Sequence, residues 1–171
     1  AATYRTWWNE MGRVRAFLGN ESGTAAAEMA LILPIALALT FVTFDGAYFM
    51  LCEQRAIKGV RIAARYAARL DLSHFTCPDG TFNGPVSEVQ NVAVAGVPTG
   101  GTSTIPGWET RDVSVSVSCS SGQGGIYEAS GGHAPLVRVS TRFEFPSQLE
   151  ALGFSNGNTF IAAAAESPVI G

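Results

Sequence analysis

The sequence predicts an α+β protein: one long N-terminal helix, lipid-compatible in its first half and amphipathic in its second, packed on a small antiparallel β-sheet. Three observations predict it. Residues Met29 to Phe44 are sixteen in succession without a charge. The stretch that follows, CEQRAIKGVRIAARYAARL, repeats apolar and basic residues at three- and four-residue steps. Beyond residue 70, Gly- and Pro-rich loops separate short segments of period-two alternation.

The length of 171 residues suits a single domain. Hydrophobic residues make up 47% and charged residues 15%, with a formal net charge of −3, so no basic surplus points to nucleic acid. Position 1 is Ala rather than Met, which reads as a trimmed or partial N-terminus.

Residues 1–23 are short, mixed and polar, with Arg5, Arg13 and Arg15 against Glu10 and Glu21. The Trp7–Trp8 pair suits either a membrane interface, where indole rings are favoured, or a weakly ordered tail. From Met29 to Leu51 the chain is apolar except for Asp45, and 23 residues make about 35 Å of helix. That exceeds the roughly 30 Å hydrocarbon core of a bilayer. A cleaved secretory signal fits less well, because no small-x-small exit with a turn follows the apolar run. The helix is instead expected to continue from about Ala25 to about Leu70. Leu51, Ile57, Val60, Ala64 and Ala67 fall near one face, and Lys58, Arg61, Arg65 and Arg69 on another. Pro34 cannot donate to the carbonyl of Ala30, so a kink is expected there. Asp45 reads as an ordinary carboxylate near the interface.

After Leu70, DLSHFTCPDGTFNGP reads as loop and Val89–Val94 as a strand. VSVSVSC alternates strictly over Val113–Cys119 and reads as a strand. SSGQGGIYEASGGHAP reads as a long flexible connection. In VRVSTRFEF, Val137, Val139, Thr141, Phe143 and Phe145 share one face, opposite Arg138, Ser140, Arg142 and Glu144. Leu149–Leu152 suits a helical turn, Asn156–Gly157 a turn, and Thr159–Glu166 a last strand or short helix.

Of the three cysteines, Cys77 and Cys119 lie in the Gly-rich part, where a disulfide formed in an oxidising compartment is expected. Two separate buried thiols are the alternative. His74, Cys77, Cys119 and His133 also form an H-x2-C and C-x13-H pattern, a weak candidate for zinc. No nucleophile–base set, paired carboxylates or phosphate-cradling Gly loop stands out, so no catalytic residues, cofactor or small-molecule ligand are expected. Membrane orientation is left in conflict: the basic residues after the span outnumber Arg13 and Arg15 before it, whereas a disulfide favours the opposite side.

The stretch GTAAAE leading into MALILPIALALTFVTF resembles the type IV prepilin processing site. More narrowly, GTAAAEMALILPIALALTF and AIKGVRIAARYAARL resemble the TadE-like (TadE/TadF) minor pilins or pseudopilins of tight-adherence (Flp) pilus systems. The resemblance is good over Gly23–Leu70 and only architectural over 71–171, and IAARYAA departs from the commoner Gly-Ala-Arg wording. It implies a type IV pilin-like fold and a cytoplasmic leader, 1–23, cut by a prepilin peptidase between Gly23 and Thr24. It further implies a long helix over 24–70 and a periplasmic β-rich domain over 71–171 that ends up in an extracellular pilus. Glu28, fifth in the mature chain, and Pro34 would serve assembly with other pilin subunits and the inner-membrane machinery, with surface adhesion or biofilm formation as the outcome. The basic helix face would then pack on the sheet or line subunit contacts. An uncut single-span membrane protein with a small periplasmic interaction domain is the alternative.

Overall fold

The structure is a computed structural model that describes residues 22–122, 124–150, 153 and 159–170. The Trp7–Trp8 pair, Ala151–Leu152 and the Asn156–Gly157 turn lie outside them. The chain divides into two compact units between Phe44 and Asp45. Helix α1, Ser22–Ala67, belongs to both.

In the second unit the chain after α1 forms a short 3-10 turn, Leu72–His74, then the two-residue strands β1 (Phe75–Thr76) and β2 (Thr81–Phe82). Helix α2, Val86–Ala95, leads through a long loop to strands β3 (Val113–Ser120), β4 (Ala134–Glu144) and β5 (Phe160–Pro168). β3, β4 and β5 form an antiparallel sheet in that order, with Val115 opposite Val139 and Val139 opposite Ala165. The architecture is α+β, an apolar N-terminal helix with small antiparallel sheets, as the patterning predicts.

The alternation of β4 has its physical cause in the core. Val137, Val139, Thr141, Phe143 and Phe145 are buried, whereas Arg138, Arg142 and Glu144 are exposed. A one-residue slip would exchange the two sets, so burial of one face holds the register. β5 resolves the choice over 159–166 in favour of a strand.

Three expectations need correction. Val89–Val94 is helical: Val89, Val92 and Ala93 are buried at i, i+3, i+4 spacing, and Gly96 closes the helix in the left-handed region at φ 78°. β-Branched content suggests a strand there, but packing of one helical face decides it. The buried stripe of α1 consists of Cys52, Ala56, Val60, Ala63, Ala64 and Ala67, whereas Leu51 is 46% exposed. Small residues turn inward because neighbouring backbone comes close. A Cβ on Gly59 would run into the carbonyl oxygen of Ala93 and the Trp108 ring. The connection between β3 and β4 also holds a 3-10 helix, Gly125–Ser130, pinned where the Tyr127 hydroxyl donates to the Val169 carbonyl at 2.6 Å.

Trp108 fills the space beside Gly59 and is 1% exposed. Its ring stacks on Phe143 at 5.3 Å, and its Nε1 donates to Thr141 Oγ1 at 2.9 Å. That hydroxyl in turn donates to the Asp112 carbonyl at 2.9 Å, so both buried polar side chains are satisfied. Cys77 and Cys119 are disulfide-bonded across 42 residues, tying the β1–β2 ribbon to the end of β3.

Two stability outcomes follow. Gly59→Ala should lower unfolding free energy by about 1–3 kcal/mol through overpacking, read by thermal or denaturant unfolding in micelles. Replacing Cys77 and Cys119 together by Ser should cost roughly 4 kcal/mol by loop-closure entropy, read in the same assay with Cys52 intact.

Candidate functional site

The first unit, over its described residues, is a bare apolar helix. Every residue from Gly23 to Phe44 is exposed, including Leu31 at 72% and Phe44 at 70%. Water would not tolerate so long a row of uncovered Leu, Ile, Val and Phe on one helix; a bilayer or other apolar helices would. Among the described residues, α1 is the helix long and apolar enough to cross a membrane. Two of its threonines, Thr40 and Thr43, are accommodated in the same spirit. Thr40 Oγ1 donates to the Ala36 carbonyl and Thr43 Oγ1 to the Thr40 carbonyl, both at 2.7 Å, so neither hydroxyl needs water. Pro34 lies within α1 and is exposed.

The proposed processing residues sit at the start of this helix. Gly23 and Thr24 lie in the first turn of α1 and Glu28 in the second, all exposed. Among the described residues, and setting aside its chain neighbours and its own helix backbone, no atom lies within 4 Å of where a Gly23 Cβ would stand. Glycine costs a helix about 1 kcal/mol against alanine, so nothing in the local packing accounts for it. Glu28 lies in the second turn of α1 as described.

The zinc alternative is overturned. The sulfurs of Cys77 and Cys119 are bonded to each other, so neither can act as a thiolate ligand beside His74 or His133. Among the described residues no three His, Cys, Asp or Glu side chains cluster to hold a metal. His74 ends the 3-10 turn after Asp71, whose carboxyl is held below its ordinary value chiefly by the Ser73 backbone N–H donating to it at 2.8 Å.

Asp45 is more than an interfacial carboxylate. Its Oδ2 accepts from the Ser147 hydroxyl at 2.9 Å and its Oδ1 from the Gln148 N–H at 2.8 Å. Tyr48 and Phe49, on the next turn, pack against Phe145 with ring centroids at 5.8 and 5.1 Å. Asp45 therefore marks where α1 stops being bare and begins to hold the chain that leaves β4. No local pattern could have revealed this, because its partners lie 102 and 103 residues away. Of the two placements expected for the basic face, on the sheet or at subunit contacts, its exposure leaves the second open. Arg55, Lys58, Arg61, Arg65 and Arg69 are exposed, and none of them packs on the sheet.

Comparison with known proteins addresses the N-terminal segment. Residues 23–65 match the family model described as TadE-like protein. The match begins at Gly23 and ends within the basic face, so it covers the apolar helix and its amphipathic continuation, where the resemblance was read. No curated protein and no solved structure matches the chain.

Asp45→Ala should leave Ser147 and Gln148 without their acceptor and lower the stability of the second unit by about 1–3 kcal/mol. Hydrogen exchange at Gln148 and the unfolding midpoint in micelles together measure the effect.

Proposed function

We propose that this chain is a minor pilin or pseudopilin of the TadE-like kind. It is made as a prepilin, cut after Gly23, and assembled through its apolar helix into a tight-adherence pilus that serves surface adhesion or biofilm formation. The observation that carries this is the family match starting at Gly23, on a helix whose next twenty-one residues are all exposed. The role is structural: the helix supplies the surface by which subunits leave the membrane and pack together. Residues 1–23 are the cytoplasmic leader, and residues 71–171 lie on the periplasmic side of the inner membrane. The Cys77–Cys119 disulfide suits an oxidising compartment, which favours this orientation over the basic count after the span.

The chemistry of Glu28 follows from the cut. Hydrolysis between Gly23 and Thr24 frees an α-amino group with a reference pKa of about 8, mostly cationic at neutral pH. An isolated carboxylate at the centre of a membrane helix costs on the order of 2.5–3.5 kcal/mol, and less towards an interface. Pairing Glu28 of one subunit with the Thr24 amine of its neighbour offsets that cost in one axial register and not in others. The apolar side chains from Met29 to Phe44 then pack helix against helix, with the lipid as competitor.

The chain expressed with its prepilin peptidase should yield a mature N-terminus at Thr24 by mass spectrometry; an N-terminus upstream would instead leave an uncut single-span protein. Gly23→Ala should abolish that cleavage, and the open space around Gly23 means the variant still folds. Glu28→Ala should leave cleavage intact while incorporation into sheared pili falls at least about tenfold, the effect of losing roughly 1.4 kcal/mol of pairing. Normal incorporation of Glu28→Ala would overturn the register role.

A further inference from the structure

The charges of the second unit are sorted by location. Arg55, Lys58, Arg61, Arg65 and Arg69 follow one another at steps of three or four residues. At 100° per residue Arg55, Lys58, Arg61 and Arg65 fall within an arc of about 120° on α1, a single exposed stripe about 15 Å long, and Arg69 follows in the turn after the helix. Among the described residues none of the five pairs with a carboxylate; the ion pairs there are Arg111–Glu109 and Arg138–Glu166. Arg55 reaches the Thr104 carbonyl at 3.1 Å. Like charges at these spacings weaken a helix, and among the described residues no acidic side chain forms an ion pair with them.

The opposite charge is on the rest of the chain. Residues 71–171 carry nine carboxylates against three arginines. Several of the carboxylates meet around an open groove of about 390 Å³ lined by Pro106, Asp112, Glu144, Phe145, Pro146 and Glu150, with Arg111 at its side. Asp112 is engaged by the Glu109 N–H and Arg111 by Glu109, whereas Glu144 and Glu150 are exposed and in no ion pair among the described residues.

We infer that the basic stripe of one subunit docks on the Glu144–Glu150 face of a second copy of the same chain. The contact presupposes the filament subunit proposed above and names the surfaces it uses. Charge complementarity selects the occupant, since one molecule carries both halves. The stripe and the acidic face are different patches, so the contact repeated in one direction gives an open chain, whereas reciprocal docking of two copies gives a closed pair. Anionic lipid is the poorer occupant. A headgroup layer is about 5–7 Å deep on each side, whereas the stripe runs about twice as far along its helix.

The full chain in non-ionic micelles, followed by sedimentation equilibrium, tests this. The wild type should self-associate at 50 mM salt and at least about tenfold more weakly at 500 mM, because screening shortens the reach of exposed charges. Arg61→Glu with Arg65→Glu, and separately Glu144→Lys with Glu150→Lys, should each weaken association at least about tenfold. Combining all four reverses both surfaces and should restore it. All four positions are exposed, and circular dichroism checks that the variants keep their fold. Unchanged association in either pair, or no recovery in the combined variant, would overturn the contact. So would association that appears only with added phosphatidylglycerol and ignores the Glu144–Glu150 reversal. The N-terminus is measured on parallel samples co-expressed with the prepilin peptidase, so a failure of processing is seen separately: restored association without a Thr24 N-terminus there sinks the cleavage proposal and leaves this contact standing.

Discussion

The close approach of α1 to α2 at Gly59 is the constraint on which the second unit depends. With no side chain there, the Ala93 carbonyl and the Trp108 ring come up against the helix backbone. Every other buried position on that stripe is correspondingly small, apart from Val60: Cys52, Ala56, Ala63, Ala64 and Ala67. Trp108, lodged beside the glycine, then reaches Phe143 and Thr141 on the central strand. One missing Cβ thus aligns a helix, a loop and a sheet. Such a core gains much of its stability from dense contact between small groups and one large aromatic, rather than from a layer of leucines.

That arrangement explains which parts of the fold were legible. β4 was readable because its inner face holds large apolar residues and its outer face charged ones, so burial and sequence alternate together. The buried face of α1 is legible at Val60, Ala64 and Ala67 but not at Cys52, Ala56 and Ala63, because small residues carry little hydrophobic signal beside the exposed Leu51. Val89–Val94 was misread because valine suggests a strand, while the deciding feature was the spacing of buried positions and the glycine stop at Gly96. Asp45 and Trp108 act through partners far along the chain and left no local mark. In the candidate site the order of Gly23, Glu28 and the apolar run is legible as a pattern of residues, and the family match covers the same stretch. Among the described residues Gly23 stands in open space.

The two parts of α1 answer to different surroundings although they share one helix. Up to Phe44 the side chains are bare and the hydroxyls turn back onto the backbone. From Asp45 onward the helix carries hydrogen bonds and aromatic contacts to the end of β4. The change takes place over a single peptide bond. A lipid-compatible segment needs no partner to be satisfied, and a packed segment needs many, so the site of proposed assembly and the folded unit can be altered separately.

The disulfide has a consequence for a subunit drawn on from both ends. Tension entering through α1 and leaving through β5 runs along the chain to Cys77, crosses the S–S bond and resumes at Cys119. The intervening residues, which include α2 and Trp108, are bypassed. Forty-two residues of extended chain would add about 140 Å of contour. With the bond closed that length cannot be released, so stretching extends the chain before Cys77 and after Cys119 but not the segment that carries α2 and Trp108.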